Sequence, residues 1–172
     1  MSDVGREFLE RSSRFLTHEH LPRVRAAVET LDAADLWWRP NEASNSVGNL
    51  LLHMAGNLRQ WVVHGVGGAE DVRRRDDEFA AREGDRDALL DRLRAAVREA
   101  AWTLDRLDPA TLREPRTIQG MEVTALHAVY HAVEHFSMHA GQILWIVKLR
   151  TGEDLGFYRV EGGVAEQTWD VE

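Results

Sequence analysis

The stretch Leu126-His-Ala-Val-Tyr-His-Ala-Val-Glu-His-Phe-Ser-Met-His-Ala-Gly-Gln-Ile143 carries four histidines at intervals of four: His127, His131, His135 and His139. An interval of four is a helical interval. On an α-helix it stacks side chains on one face about 6 Å apart, near enough for two imidazoles to grip one metal ion. Leu126, Val129, Val133, Leu144 and Val147 mark an aliphatic face of the same helix, and Met138, Ile143, Trp145, Ile146 and Leu149 carry apolar surface round the other sides. The pattern predicts a helix from about Gly120 to Arg150, apolar all round and therefore buried in a bundle of other helices.

Working outward, Val47, Leu50, Leu51, Met54, Leu58, Trp61 and Val62 fall in one helical sector, with Ser46 as N-cap and Gly65-Val-Gly67-Gly68 as the stop. His53, Asn57, Gln60 and His64 form a polar seam beside that sector, free of the Lys and Glu that a solvated flank favours. Asp85 caps a further amphipathic helix, Arg86 to Leu107, closed by Asp108-Pro109 and Pro115, with residues 108–119 as the link onward. Near the N-terminus, Phe8, Leu9, Phe15, Leu16, Val24, Val28 and Leu31 recur at helical spacing around Pro22, which predicts one bent helix or two abutting ones. His18 and His20 are expected at the surface there. Trp37-Trp38-Arg39-Pro40-Asn41 reads as a connector whose tryptophans lid the core.

No stretch alternates with the period of a strand, so the expected architecture is all-α, a four-helix bundle in a single domain over residues 1–172, with an irregular tail from about 152. The charged connection 66–84 is longer than a bundle needs and is expected to border a site. Within it Arg73-Arg-Arg75 followed by Asp76-Asp-Glu78 reads as a salt-bridged surface turn.

A formal charge of −8 argues against a nucleic-acid partner. No apolar run approaches the roughly 20 residues that span a bilayer, which excludes a membrane protein, and the N-terminus lacks the basic and apolar regions of a secretory signal, which points to the cytoplasm. With no cysteine in the chain, any thiol in the chemistry must come from a substrate or cofactor.

Two imidazoles on one helix leave a metal ion short of ligands, since catalytic sites use about three protein ligands and keep a position open. The polar seam supplies His53 as the third. The helix itself offers two usable pairs, His131 with His135 and His135 with His139. Neutral imidazole suits Zn2+ or Ni2+, and burial favours the neutral form.

Trp38-Arg-Pro-Asn-Glu-Ala-Ser-Asn-Ser-Val-Gly-Asn-Leu-Leu-Leu-His53-Met-Ala-Gly-Asn57, the Arg-Asp-Asp-Glu-Phe79 segment and His131-Ala-Val-Glu-His135-Phe-Ser-Met-His139-Ala-Gly-Gln142-Ile together resemble the DinB-like superfamily, which includes the YfiT-like metal-dependent hydrolases. The resemblance implies a four-helix bundle, often dimeric, holding a divalent metal on three histidines. Matched residue by residue, those ligands are His53, His135 and His139. His131, Asn57, Gln142 and Glu134 become candidates for facing the substrate or orienting a ligand imidazole, and no catalytic residue is singled out.

Relatives that transfer small thiols such as mycothiol or bacillithiol imply a metal-dependent S-transferase acting on a small-molecule electrophile, with metal-dependent hydrolysis or a non-enzymatic, stress-related metal-binding dimer as the alternatives. Hydrolysis wants a general base beside a bound water, and no His-Glu-x-x-His is present. The apolar last helix also predicts a homodimer.

Overall fold

Pro22 does not end the first helix. In the computed structural model, which describes residues 4–169, α1 (Val4–Arg14) runs through a π-helical turn (Phe15–His20) into α2 (Leu21–Glu29). Pro22 has no N–H for the carbonyl of His18 four residues earlier, and that carbonyl accepts from the indole Nε1 of Trp169 at 2.9 Å. The extra residue of the π turn keeps the apolar face in phase. Leu9, Leu16 and Val24, spaced by seven and then eight, are all fully buried.

His20 is not the surface group expected from the sequence. It sits half-buried between the rings of Phe15 and Phe136, each 6.0 Å away. Burial, reinforced by the charge of Arg23, lowers its pKa from 6.5 to about 4. The unfolded chain therefore takes up this proton first as pH falls. Stability owed to a neutral His20 is complete above the ordinary value and is lost as pH drops toward the folded one. His20→Phe is expected to flatten the decline in urea midpoint between about pH 7 and about pH 4.5. An unchanged decline in the variant would show that His20 does not carry it.

After α3 (Ala33–Leu36), capped by Asp32, Trp37 ties the connector to its neighbours. Its ring lies so close to Gly48 that a Cβ there would come within 2.7 Å, and its Nε1 donates to the Gly84 carbonyl at 3.2 Å. α4 (Val47–Leu58) opens with a reciprocal cap in which Ser46 and Asn49 bond each other's backbone N–H, and a second π-helical turn extends it over Arg59–His64. The charged connection contains a short helix, α5 (Arg75–Ala80). α6 (Arg86–Arg106) follows its predicted Asp85 cap, which accepts from the Ala88 N–H.

The link to the last helix holds a 3-10 turn (Pro109–Arg113) and a hairpin of β1 (Pro115–Ile118) and β2 (Met121–Thr124), paired antiparallel with Ile118 opposite Met121. The all-α expectation therefore needs small β additions. α7 (Ala125–Thr151) starts at a Thr124 cap rather than at Gly120 and ends on left-handed Gly152. The tail is also more regular than expected, since β3 (Tyr158–Glu161) pairs with β4 (Val164–Gln167). Met1–Asp3, which entered the reading of the N-terminus, and residues 170–172 of the tail lie outside the described residues.

The long helices α1–α2, α4, α6 and α7 form a four-helix bundle. α4 packs on α5, α6 and α7, while α1 lies on α6 and α2 on α7. Phe136, Leu51, Met54, Leu58, Leu93 and Ile143 fill the centre. α7 is not covered all round: Tyr130, Met138, Trp145 and Leu149 are about half exposed or more. Among the described residues no helix is long and apolar enough to cross a membrane.

Candidate metal centre

His53, buried on α4, faces His135 and His139 on α7. Farther along α4 Trp61 meets His131, which comes earlier on α7, so the two helices run in opposite directions. Nε2 of His135 lies 3.0 Å from Nε2 of His53 and 3.2 Å from Nε2 of His139. All three ligand atoms lie within 4.8 Å of one another.

Two of the outer nitrogens each face an acceptor oxygen. Nδ1 of His53 is 3.0 Å from Oε2 of Glu78, and Nδ1 of His139 is 2.7 Å from Oε1 of Gln142. Each Nδ1 therefore carries the N–H, and each Nε2 turns its lone pair toward the shared centre. Nitrogens bound to a tetrahedral ion at about 2.05 Å would sit about 3.3 Å apart, so the three imidazoles fit such an ion in type and the His53–His135 and His135–His139 pairs fit it in spacing. Burial first, then the neighbouring charges of His139 and His53, push His135 down to about 3. Burial also lowers His139, against the opposing hydrogen bond to Gln142. Both imidazoles stay neutral near pH 7, the form that coordinates.

Glu78 belongs to the centre and was missed. The expected surface turn is half right: Arg74 and Asp77 do pair in solvent at 3.6 Å, but the Arg73 and Glu78 side chains are only 3% exposed. Arg73 grips Glu78 with two parallel bonds, Nε to Oε1 and Nη2 to Oε2, both 2.8 Å. Burial alone would raise the Glu78 pKa, yet the hydrogen bonds from Arg73 and His53, with their charges, hold it below the usual carboxylate range. Arg73 Nη2 also lies 3.0 Å from Nδ1 of His53, because both donate to the same oxygen.

The sequence of α4 makes room for this carboxylate. A Cβ on Gly56 would come within 2.0 Å of Glu78 Oε1, so only glycine admits it there. Asn49 fixes α5 by donating from Nδ2 to the carbonyls of Glu78 and Ala81, both at 2.9 Å. Gln60 accepts from Arg73 Nη1 at 2.9 Å and also from Gln119, at the turn between β1 and β2. The Phe79 ring covers His53 at 4.7 Å. The Arg-Asp-Asp-Glu-Phe79 segment was among the residues carrying the resemblance, and that was the available signal for Glu78.

The remaining candidates divide. Gln142 hydrogen-bonds the His139 ring. His131 stacks on Trp61 at 4.0 Å between ring centres and stands 5.4 Å from the His135 ring, its pKa lowered chiefly by burial. Among the described residues Asn57 bonds none of the three imidazoles, and its Oδ1 is buried without a hydrogen-bond partner, as is Nε1 of Trp61. Glu134 is exposed and reaches His131 and His139 only through its charge. His127 is exposed.

The four-helix bundle is the DinB-like fold. The chain belongs to the family DUF1572, described as a protein of unknown function, which matches residues 3–161 and is a DinB-like family. Among solved structures, the crystal structure of the DinB-like protein YjoA from Bacillus subtilis superposes with a TM-score of 0.62 at 20% identity, covering 84% of this chain and 93% of that one. A conserved protein from Enterococcus faecalis gives 0.61 at 19% identity, covering 87% and 96%. At these identities the likeness is one of fold. No curated protein matches the sequence.

Proposed function

We propose that the protein binds one divalent ion, Zn2+ or Ni2+, on His53, His135 and His139, and uses it to transfer a low-molecular-weight thiol to a small electrophile. The observation that carries the reading is the convergence of three Nε2 atoms, two of them with Nδ1–H held by Glu78 and Gln142. When bound, a divalent ion supplies the positive charge that favours a thiolate over a thiol near neutral pH. The chain's part is to keep its imidazoles aimed and partly shielded from water. In the transfer the sulfur–carbon bond forms, the bond from carbon to the leaving group breaks with its electron pair, and the thiol proton passes to solvent.

Metal-dependent hydrolysis has less support, because a water nucleophile needs a base. Glu78 is committed to Arg73 and His53, and Glu134 is exposed. The exposed Leu126 and Tyr130 on the first turns of α7 offer a surface for the proposed homodimer. Purified protein is expected to hold about one ion per chain and to consume chlorodinitrobenzene in the presence of a small thiol, with His53→Ala inactive. Metal binding without thiol-dependent turnover would leave a non-enzymatic metal-binding protein.

A further inference from the structure

Five of the eight histidines have a ring nitrogen tied to a neighbour: His18 to Thr17, His20 to Arg23, His53 to Glu78, His64 to the Ala69 carbonyl and His139 to Gln142. His135 is engaged at the centre through its Nε2. His127 and His131 remain. The hydrogen bond of His127 is made by its backbone N–H, to Thr124, and among the described residues neither imidazole makes one.

These two free rings are consecutive rungs of one ladder on α7. Imidazoles at i and i+4 stand about 6 Å apart on the same face, within reach of one ion. Trp61 packs against the His131 ring with 4.0 Å between ring centres, which restrains that imidazole before any ligand arrives. The charge of His127 reaches His131, and so does the negative charge of exposed Glu134, which favours a cation beside the pair.

Each rung turns about 40° from the one before it. The ladder therefore winds from solvent into the bundle: His127 is exposed, His131 and His135 are half-buried, and His139 is buried. Ring centres are 5.4 Å apart from His131 to His135 and 4.3 Å apart from His135 to His139. An ion held by the outer pair is one rung away from the centre and reaches it by exchanging one imidazole at a time.

We propose that His127 and His131 form a second, weaker site for a divalent transition-metal ion, and that this site loads the buried centre along the ladder. The loading role rests on the metal-binding reading of the centre, whereas the outer site stands without it. Two imidazoles, with water in the remaining positions, hold an ion loosely, which suits a group that must release it.

Calorimetric titration of the metal-free protein with Zn2+ is expected to show a tight equivalent and a weak one. His127→Ala, at an exposed position, should lose the weak equivalent and keep the tight one. In stopped flow, Zn2+ uptake by the tight site should slow by about tenfold in His127→Ala, and release to a chelator by the same factor. A residue on the path changes both rates and leaves their ratio, the Kd, in place, whereas a structural role would move the Kd. His131→Gln repeats both measurements at the second rung. A weak equivalent that survives both replacements would overturn the site, and unchanged uptake in both would overturn the loading role. A weak equivalent lost in His127→Ala, in a protein with no tight one, would uphold the outer site and reject both the centre and its loading.

Discussion

Replacing His135 by alanine is expected to empty the metal centre, with metal per chain falling from about one to below about a tenth by elemental analysis. His135 is the hinge of the set, because its Nε2 lies within 3.2 Å of both other ligand nitrogens. Without it His53 and His139 remain on different helices, and the i, i+4 pair left on α7 is His127 with His131, of which His127 is exposed. The variant should fold, since His135 is only half-buried and neutral. A saturating ion at about a hundred times its Kd adds about 2.7 kcal/mol. For a chain of this size that corresponds to roughly 5–10 °C in Tm. A chelator should therefore lower the Tm of the parent protein by about that much and leave that of His135→Ala where it is. Full metal occupancy in the variant would refute the ligand assignment.

Glu78→Ala is expected to damage both stability and the centre. It strips the partner from a guanidinium that is only 3% exposed, and uncompensated buried charges of this kind cost about 3–5 kcal/mol. It also frees the Nδ1–H of His53, which should weaken metal binding by about 10–100-fold. Glu78→Gln keeps the shape and one acceptor, so its losses should be smaller on both counts. Urea unfolding and competition with a chromophoric chelator measure the two effects separately. A loss below about 1 kcal/mol with unaltered affinity would mean that Arg73 finds solvent and that Glu78 does not set the imidazole.

Much of this arrangement was legible from residue type and spacing. The Ser46 and Asp85 caps, the apolar sector of α4 and the four-residue interval on α7 are local signals, and each acts in the structure as its local chemistry requires. Glu78 was not legible from charge pattern, because Arg73-Arg-Arg-Asp-Asp-Glu78 sets three basic residues against three acidic ones in the way an exposed turn does. Its burial comes from elsewhere, from the missing side chain at Gly56 and the reach of Asn49. The β1–β2 hairpin was hidden for a different reason. Its two-residue turn uses Gln119 and Gly120, both with positive φ, and glutamine is not among the residues that usually announce such a turn. His20 looked like a surface residue because the aromatic ring that completes its enclosure, Phe136, lies on another helix. The breadth of the apolar surface on α7 was read correctly, but the inference that it is all buried was not, since Trp145 remains 64% exposed.

The antiparallel meeting of α4 and α7 makes the centre a late event in the life of the chain. His53 and His135 are 82 residues apart, and closing so long a loop must precede any reward from the contacts it makes. A nascent or collapsed chain can offer an ion only the histidines of one helix, a weak and exchangeable perch. Tight capture arrives with the docking of α7, so metal uptake during refolding serves as a clock for topology, ticking only once the last helix has found the second.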